Sequence, residues 1–333
     1  MKKRLPLLAV MLVLMSALSG CAAKKESVQF FAMDTVMEMT AYGPEAGQAL
    51  SEAERRIHVL DADLSAQDGK SEISRLNDGS DEPLSSGTLQ LVRRALEAAR
   101  MTDGAYDPTV GALMTLWGFG TEHAAVPEVS EIKETLIRTG WDRLTVTNTG
   151  LSMPEGFRFD PGGIGKGYAA EQTKALLKEQ GVASAILSLG GNISVLGAKP
   201  DGSDWVIGIQ DPENPASQFA LVRVKDAAVV TSGGYQRYFE EDGRRYCHIL
   251  DPKTGYPAES GLLSVTIVSK DDTMADALST ALYVMGAEKA ERFWRESGLE
   301  FDCIIMDEQR HVFVTEGLEK IITCTSGFEL WTR

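Results

Sequence analysis

Short apolar runs that pair across turns constrain the fold of this chain more than any other feature. Strand-like segments such as "SAILSLGG", "DWVIGIQ", "FALVRVKDAAVVTSG" and "LLSVTIVS" outnumber the segments with helical periodicity. They cluster in hairpin-like pairs and do not alternate with helices, which favours an α+β fold over a doubly wound parallel sheet. We predict two intimately packed lobes, with a mixed, largely antiparallel sheet and flanking helices.

Length and net charge restrict the possible functions of the chain only a little. The chain has 333 residues, 43% of them hydrophobic, which is enough to bury one large core or two smaller ones. Its formal net charge of −15 argues against a nucleic-acid partner held through phosphates. Acidity of this kind is typical of a solvated surface and indicates no particular partner.

The N-terminus carries a targeting signal. Residues 1–4 are basic, and residues 5–20 are apolar but too few to span a bilayer comfortably. The run ends in "LSGC", which resembles a bacterial lipobox and implies cleavage before Cys21 and acylation of its thiol. The alternative is an ordinary secretory signal with an incidental cysteine.

These features divide the chain into a lipoprotein signal peptide at 1–20, a lipidated stub at 21–27 and one domain at 28–333. Two or three acyl chains are sufficient for stable anchoring. We therefore expect a lipid-anchored protein on the extracytoplasmic face of a bacterial membrane, either the inner membrane or the cell membrane.

The stretch "FDPGGIGKGYAAE", residues 159–171, is a glycine-rich loop that leads into a predicted helix at 167–180. It matches neither the Walker A pattern nor the dinucleotide-binding fingerprint. Its four glycines permit positive φ and close backbone approach, and the N–H groups of the following helix, together with Lys166, suit an anion. A tight strand-to-helix turn with a surface lysine explains the same letters equally well.

A second polar group lies in "TMADALSTALYVMG", within a predicted helix at 274–285. Asp276, Ser279 and Thr280 share one helix face, and their hard oxygens suit Mg²⁺. The alternative is a capping box from Thr273 to Asp276. Capping explains Asp276 but leaves Thr280 without a role.

The segment "GRRYCHILDPKTGYP" predicts a strand that ends near His248, followed by a turn. A single histidine at a strand end is more often structural than catalytic. Its pKa range nevertheless makes His248 the natural proton acceptor if a site lies nearby.

Taken together, eight segments in order resemble the ApbE family of FAD:protein FMN transferases, over nearly the whole mature chain. Family members include lipoproteins, in agreement with Cys21. The segments are "AMDTVMEMTAYG", "LSAQDGKSEISRLN", "GAYDPTVGALMTLWGFG", "FDPGGIGKGYAAE", "LGGNI", "VVTSGGYQRYF", "HILDPKTGYP" and "ADALSTALYVMG".

The resemblance implies that the glycine loop serves the phosphates of FAD. It also implies a Mg²⁺ ion held by the Gly163 carbonyl with Asp276 and Thr280, and with Ser279 close by. The residues that it implies for the flavin nucleotide site are Met33, Ala105, Tyr106, Asp107, Asp160 and Lys166.

The implied reaction is attack by a threonine or serine hydroxyl of an acceptor protein on the FMN-side phosphorus of FAD, with AMP leaving. His248 is the first candidate for the base and Asp276 the second. The implied acceptors are subunits of membrane redox complexes, of the Na⁺-translocating NADH:quinone reductase or Rnf type.

One stretch departs from the family pattern. Ala66 and Gln67 stand where family members often carry an aromatic residue that can stack on adenine. A looser adenine site leaves two other functions open. One is a Mg²⁺-dependent FAD pyrophosphatase that yields FMN and AMP, and the other is a non-enzymatic flavin-binding lipoprotein.

Overall fold

The computed structural model describes residues 24–66 and 68–333. Its centre is a nine-stranded sheet, in which every pair of neighbouring strands is antiparallel except the last pair, which is parallel. The α+β class and the mixed, largely antiparallel sheet are therefore confirmed. The strands, in spatial order, are β1 (Lys25–Ala32), β2 (Thr35–Tyr42), β5 (Ser184–Leu189), β6 (Asn192–Leu196), β9 (Ala228–Gly233), β12 (Leu262–Ser269), β13 (Asp302–Asp307), β14 (Val312–Thr315) and β16 (Glu329–Trp331).

The remaining strands form three smaller sheets. A three-stranded sheet has the order β15 (Ile322–Cys324), β8 (Gln218–Val224) and β7 (Trp205–Gln210). The two hairpins are β10 (Tyr238–Glu241) with β11 (Arg244–Cys247), and β3 (Thr145–Val146) with β4 (Leu151–Ser152).

The helices of the described residues include two short 3₁₀ turns, at Trp141–Arg143 and Glu316–Leu318. None of these helices is both long and apolar enough to cross a membrane. The α-helices are α1 (Ala46–Leu64), α2 (Glu72–Asn77), α3 (Ser86–Met101), α4 (Gly111–Trp117), α5 (Val129–Leu136), α6 (Gly165–Glu179), α7 (Asp272–Met285) and α8 (Ala287–Glu296).

Hydrophobic cores cover both faces of the nine-stranded sheet. Along β13, Cys303 and Ile305 point into the core that the helices cover, whereas Ile304 and Met306 point into the core under the three-stranded sheet. This alternation follows from the two-residue period of a strand, and it leaves β13 buried on both faces. The two hydrophobic cores thus share the nine-stranded sheet between them.

The first described segment is a tight hairpin. Met33 and Asp34 both have left-handed φ, 48° and 59°, which suits a two-residue turn between β1 and β2. β1 begins at Lys25, which pairs with Tyr42, so the predicted stub at 21–27 extends too far. The stub was predicted too long because its residues are polar, and they are polar because β1 is an edge strand with one solvated face.

The prediction of one strand over "FALVRVKDAAVVTSG" is wrong. The chain turns at Asp226, where φ is +46°, and β8 and β9 enter different sheets. The Asp226 carboxylate accepts a 2.6 Å hydrogen bond from the Gly197 N–H, which holds the turn in place. Both strands are apolar, so the pattern of hydrophobic residues does not reveal where β8 ends and β9 begins.

Candidate active site

The glycine loop runs from Phe159 into α6, which begins at Gly165, two residues before the predicted start. The expected positive φ is wrong for all four glycines of the loop. Close approach is confirmed, because a Cβ at Gly167 would collide with the Asp272 carbonyl and lie 2.7 Å from Cβ of Asp276. The glycines therefore allow α6 to pack against α7.

Asp276 projects from the buried side of α7 and is tied to two other elements. Its Oδ2 accepts a 2.8 Å hydrogen bond from the Gly167 N–H, and its Oδ1 accepts a 2.9 Å bond from Nδ2 of Asn192. Asp276 and Asn192 are each 4% exposed. One of the helix N–H groups predicted to face a phosphate is thus used by this carboxylate, while the Lys166 N–H has no acceptor among the described residues.

The capping alternative for Asp276 is wrong. α7 begins at Asp272, and its N-cap is Asp271, whose side chain accepts a 2.9 Å hydrogen bond from the Met274 N–H. Thr273 instead donates its hydroxyl to Glu171 of α6. Asp276 therefore lies one full turn inside the helix and does not cap it.

Thr280 lies one turn beyond Asp276, beside the glycine loop. A Cβ at Gly163 would lie 3.3 Å from Oγ1 of Thr280, which is a tight contact, so the glycine brings the main chain close to this hydroxyl. Ser279 Oγ donates to the Asp276 carbonyl at 2.7 Å and lies 2.7 Å from Oγ of Ser232. The structure thus brings Gly163, Asp276 and Thr280 together, with the Ser279 hydroxyl engaged by protein partners.

Tyr106 packs beneath the glycine loop, with its ring 3.1 Å from the position of a Cβ at Gly163. Its hydroxyl is buried and has no hydrogen-bond partner in the described part of the chain. Burial raises the pKa of Tyr106 well above its ordinary value, and the Asp160 and Asp276 carboxylates act in the same direction. A buried hydroxyl without a partner is costly, and a bound ligand is one group that could satisfy it.

Asp107 is buried and Asp160 is half-buried. Burial raises the pKa of Asp107, and hydrogen bonds from Thr109 and from the Trp141 N–H oppose the rise. Burial likewise raises the pKa of Asp160, against a 2.7 Å bond from the Gly162 N–H. Both oxygens of Asp107 already have protein donors, whereas Oδ2 of Asp160 has none among the described residues.

His248 follows β11 directly, as predicted. Its main-chain N–H and its ring Nδ1 both bond to the Arg237 carbonyl, at 3.1 and 3.0 Å. Because a carbonyl only accepts, Nδ1 carries the proton and Nε2 keeps its lone pair. Burial lowers the pKa of His248 to about 4; the bond to Arg237 opposes this, and the charges of Arg237 and Lys166 add to it.

The remaining predicted residues lie on loops beside these groups. Ala105 precedes Tyr106 in the loop between α3 and α4, and Met33 occupies the β1–β2 turn. Thr35 of that hairpin packs against Gly190, two residues before Asn192. Lys166, in the first turn of α6, is half-buried and has no hydrogen bond or ion pair among the described residues.

The donor set fits a hard cation such as Mg²⁺. No group of three or more His, Cys, Asp or Glu side chains in the described ranges is arranged to hold a metal. The available donors are one carboxylate, one hydroxyl and a glycine carbonyl, and Mg²⁺ commonly takes few carboxylates and completes its shell with water or phosphate oxygens.

Two contributors escaped the sequence analysis. Asn192 holds the Asp276 carboxylate, and Ser232 lies against Ser279 and, at 3.4 Å, against Thr280. Each is a polar residue in a mostly apolar, largely buried strand, which is the signal that could have identified them. A surface cavity of about 400 Å³ between residues 76–84 and 147–157 contains none of the predicted site residues, so buried polar groups mark the site better than cavity size does.

Known proteins resemble this chain in sequence and in fold. The ApbE family model matches residues 33–305. FAD:protein FMN transferase of Treponema pallidum is 40% identical over 62% of each chain, and that of Escherichia coli is 34% identical over 80% of each chain. The crystal structure of the ApbE protein of Thermotoga maritima superposes with a TM-score of 0.83 at 32% identity, covering 88% of this chain and 98% of that one.

The chain belongs to the ApbE family.

Membership in the ApbE family does not by itself assign roles to single residues. The nucleotide, metal and base assignments therefore remain predictions, with the geometry described above. Cys21 and Gln67 lie outside the described residues, and Ala66 packs at the edge of the core on the helix side of the sheet.

Proposed function

We propose that this chain transfers the FMN moiety of FAD to a threonine or serine hydroxyl of an acceptor protein and releases AMP. The observation that carries the proposal is the state of His248. Its Nδ1–H is bonded to the Arg237 carbonyl, so that Nε2 is a neutral base with no partner among the described residues, close enough to Lys166 of the glycine loop to be affected by its charge. A neutral imidazole nitrogen of this kind can accept the proton of an attacking hydroxyl.

In the proposed step, the acceptor oxygen forms a bond to the FMN-side phosphorus while the bond from that phosphorus to the AMP oxygen breaks. The hydroxyl proton passes to Nε2 of His248. Lys166 supplies an unpaired positive charge next to the phosphates, and the half-buried Asp160 and the orphaned Tyr106 hydroxyl offer further polar contacts to the nucleotide. Positioning of this kind supplies most of the rate in phosphoryl-type transfer.

We further propose a Mg²⁺ ion held by Asp276, Thr280 and the Gly163 carbonyl, with Ser279 close by. When bound, the ion neutralises phosphate charge. Asn192 and the Gly167 N–H hold both Asp276 oxygens, so the carboxylate is already oriented, and each oxygen keeps a free lone pair.

Met33 and Ala105 complete the proposed FAD contacts through their loops. Asp107 contributes by holding the loop between α3 and α4, because its oxygens bind Thr109 and the Trp141 N–H. A lipid-anchored Cys21 would keep the enzyme on the extracytoplasmic face, where subunits of membrane redox complexes would be the acceptors. Mass spectrometry of the native protein tests the anchor: a diacylated Cys21 at the N-terminus is expected, and an uncleaved or unacylated chain would contradict it.

The decisive experiment mixes the protein with FAD, Mg²⁺ and a candidate acceptor subunit. Covalent flavin fluorescence on the acceptor, with stoichiometric AMP, supports transfer. Free FMN with AMP supports the pyrophosphatase, and unchanged FAD supports binding without chemistry. His311→Gln is a suitable control, because His311 is exposed on the far side of β13, where it pairs with Asp307.

A further inference from the structure

An aromatic cluster packs against the β10–β11 hairpin and the turn on either side of His248, and it has no part in the chemistry described so far. We define it as Trp117, Phe119, Phe239, Tyr246 and Tyr256. Trp117 is fully buried and stacks on Phe119, with ring centres 5.8 Å apart. Phe239 and Tyr246 stack at 5.3 Å and lie 6.3 and 5.8 Å from Trp117. Trp117 and Phe119 are the aromatic residues at the end of "GAYDPTVGALMTLWGFG", and both belong to the cluster.

The cluster supports the hairpin that carries His248. β10 and β11 form a separate two-stranded sheet, in which Phe239 pairs directly with Tyr246. Two residues further along the same ladder, the His248 N–H bonds to the Arg237 carbonyl. The stacked pair is therefore only about 7 Å along the strands from the base.

Trp117 also holds the chain on the other side of the base. Its indole Nε1–H donates a 2.9 Å hydrogen bond to the Gly255 carbonyl, in the turn that follows His248. Gly255 has a left-handed φ of +77°, and a Cβ there would lie 2.8 Å from Ile132. His248 thus stands between a hairpin and a turn that both pack on one tryptophan.

We propose that the aromatic cluster positions His248 for proton transfer, with Trp117 and Phe239 as positioning residues. A two-stranded hairpin is marginally stable by itself, so its orientation depends on what it packs against. The inference rests on the proposed role of His248. It goes further, because it assigns a catalytic consequence to side chains that touch neither FAD nor the acceptor.

Phe239→Ala and Trp117→Phe test the proposal in the full-length protein. We expect kcat to fall by at least about tenfold, since small misplacements of a catalytic group cost up to about 10²-fold. The Kd for FAD should stay within about twofold, because the α6–α7 side is untouched. Loss of the packing should also re-expose His248, moving its pKa, followed by NMR of the imidazole, upward from about 4. Arg237 and Lys166 are the charged groups that act on this ring, and both remain in the variants.

Phe293→Ala is the matched control, because Phe293 is a partly buried ring in α8 that pairs with Phe301 away from the cluster. It should lose stability while keeping kcat and the His248 pKa. Phe239→Leu, which keeps apolar volume, should recover much of the activity of Phe239→Ala. Folded Phe239→Ala with wild-type kcat and an unchanged His248 pKa overturns the inference. Unimpaired turnover in His248→Gln would instead remove the proposed base, which separates the two failures.

Discussion

The two sides of the candidate site are built by different kinds of interaction. Asp276 is held by directional hydrogen bonds from α6 and β6, between groups that are buried on long elements. His248 sits on a two-stranded hairpin that is held mainly by ring packing. The oxygen side is therefore preformed by polar groups that must be satisfied, whereas the base side combines non-directional ring packing with hydrogen bonds from Trp117 to Gly255 and from His248 to Arg237.

The scaffold under the oxygen side reinforces this difference. Lys174 of α6 and Asp272 of α7 form a buried ion pair at 2.6 Å, and Ser194 of β6 donates to the same carboxylate. Burial raises the pKa of Asp272, and the Lys174 ammonium opposes the rise. Removing either partner would leave a buried charge alone, which typically costs about 3–5 kcal/mol. The oxygen side should consequently tolerate substitution poorly, and the hairpin side should lose function before it loses the fold.

The largest expected effect is on the hairpin side. His248→Gln should lower kcat about 10²–10⁴-fold, the range for losing a general base, with FAD binding retained. The pKa of about 4 is that of His248 in the protein without FAD, so the base is neutral above that pH and wild-type kcat/KM should fall only as pH drops through about 4. The pH profile of kcat/KM checks this. A fall centred near 6.5, or a normal rate in the variant, would exclude His248 in this environment.

The oxygen side should respond almost as strongly. Asp276→Asn should lower transfer by roughly 10²–10³-fold, above the roughly 10–100-fold typical of losing an outer-shell partner, because a metal-ligating charge is lost. The rate should recover in part at high Mg²⁺, as a titration of initial rates would show.

Thr280→Val keeps the shape of the side chain while removing its hydroxyl, and should impair turnover less than Asp276→Asn does. Near-normal flavin transfer by both variants at low millimolar Mg²⁺ would rule out the metal assignment.

A smaller effect is expected at Asn192, because its side chain contacts only the Asp276 carboxylate. A variant there therefore tests the oxygen side separately from the hairpin side. Asn192→Leu leaves Oδ1 of Asp276 without its donor. We expect the apparent affinity for Mg²⁺ to fall about 10–100-fold, the usual range for an outer-shell partner, with kcat at saturating Mg²⁺ less affected. Mg²⁺-dependent initial rates separate the two quantities. Equal losses at all Mg²⁺ concentrations would point to a role apart from the carboxylate.

The smallest effect should be at Lys166, which lies between the two sides. Lys166→Ala removes a charge near the phosphates and leaves the loop backbone in place. FAD binding should weaken by about 1–2 kcal/mol, roughly tenfold, as for one charge-assisted hydrogen bond. Fluorescence titration with FAD measures this, and Lys178→Ala, at the other end of α6, is the control. An unchanged affinity would make Lys166 a surface residue of a tight turn.

Local patterns predicted the elements well where one physical rule dominates. The 3.6-residue period placed Asp276, Ser279 and Thr280 on one helix, and α7 confirms it with a start at Asp272. The glycine loop was correctly predicted to lead into a helix, and close backbone approach is confirmed as a reason for its glycines, whereas the positive φ is wrong. Backbone conformation can be inferred from neighbours in sequence, whereas the collision at Gly167 involves α7, more than a hundred residues away.

The sequence by itself determined the α+β class, the order of motifs and the residue types of the site, because periodicity, turn residues and hard oxygen donors act locally. Only the tertiary structure decided what each polar group does. It joined Asn192 to Asp276, set the tautomer of His248 through the Arg237 carbonyl and joined Trp117 to Gly255 in the turn that follows the base. These contacts link segments far apart in the chain, and hydrogen bonds and burial depend on distance in space, which the order of residues does not contain.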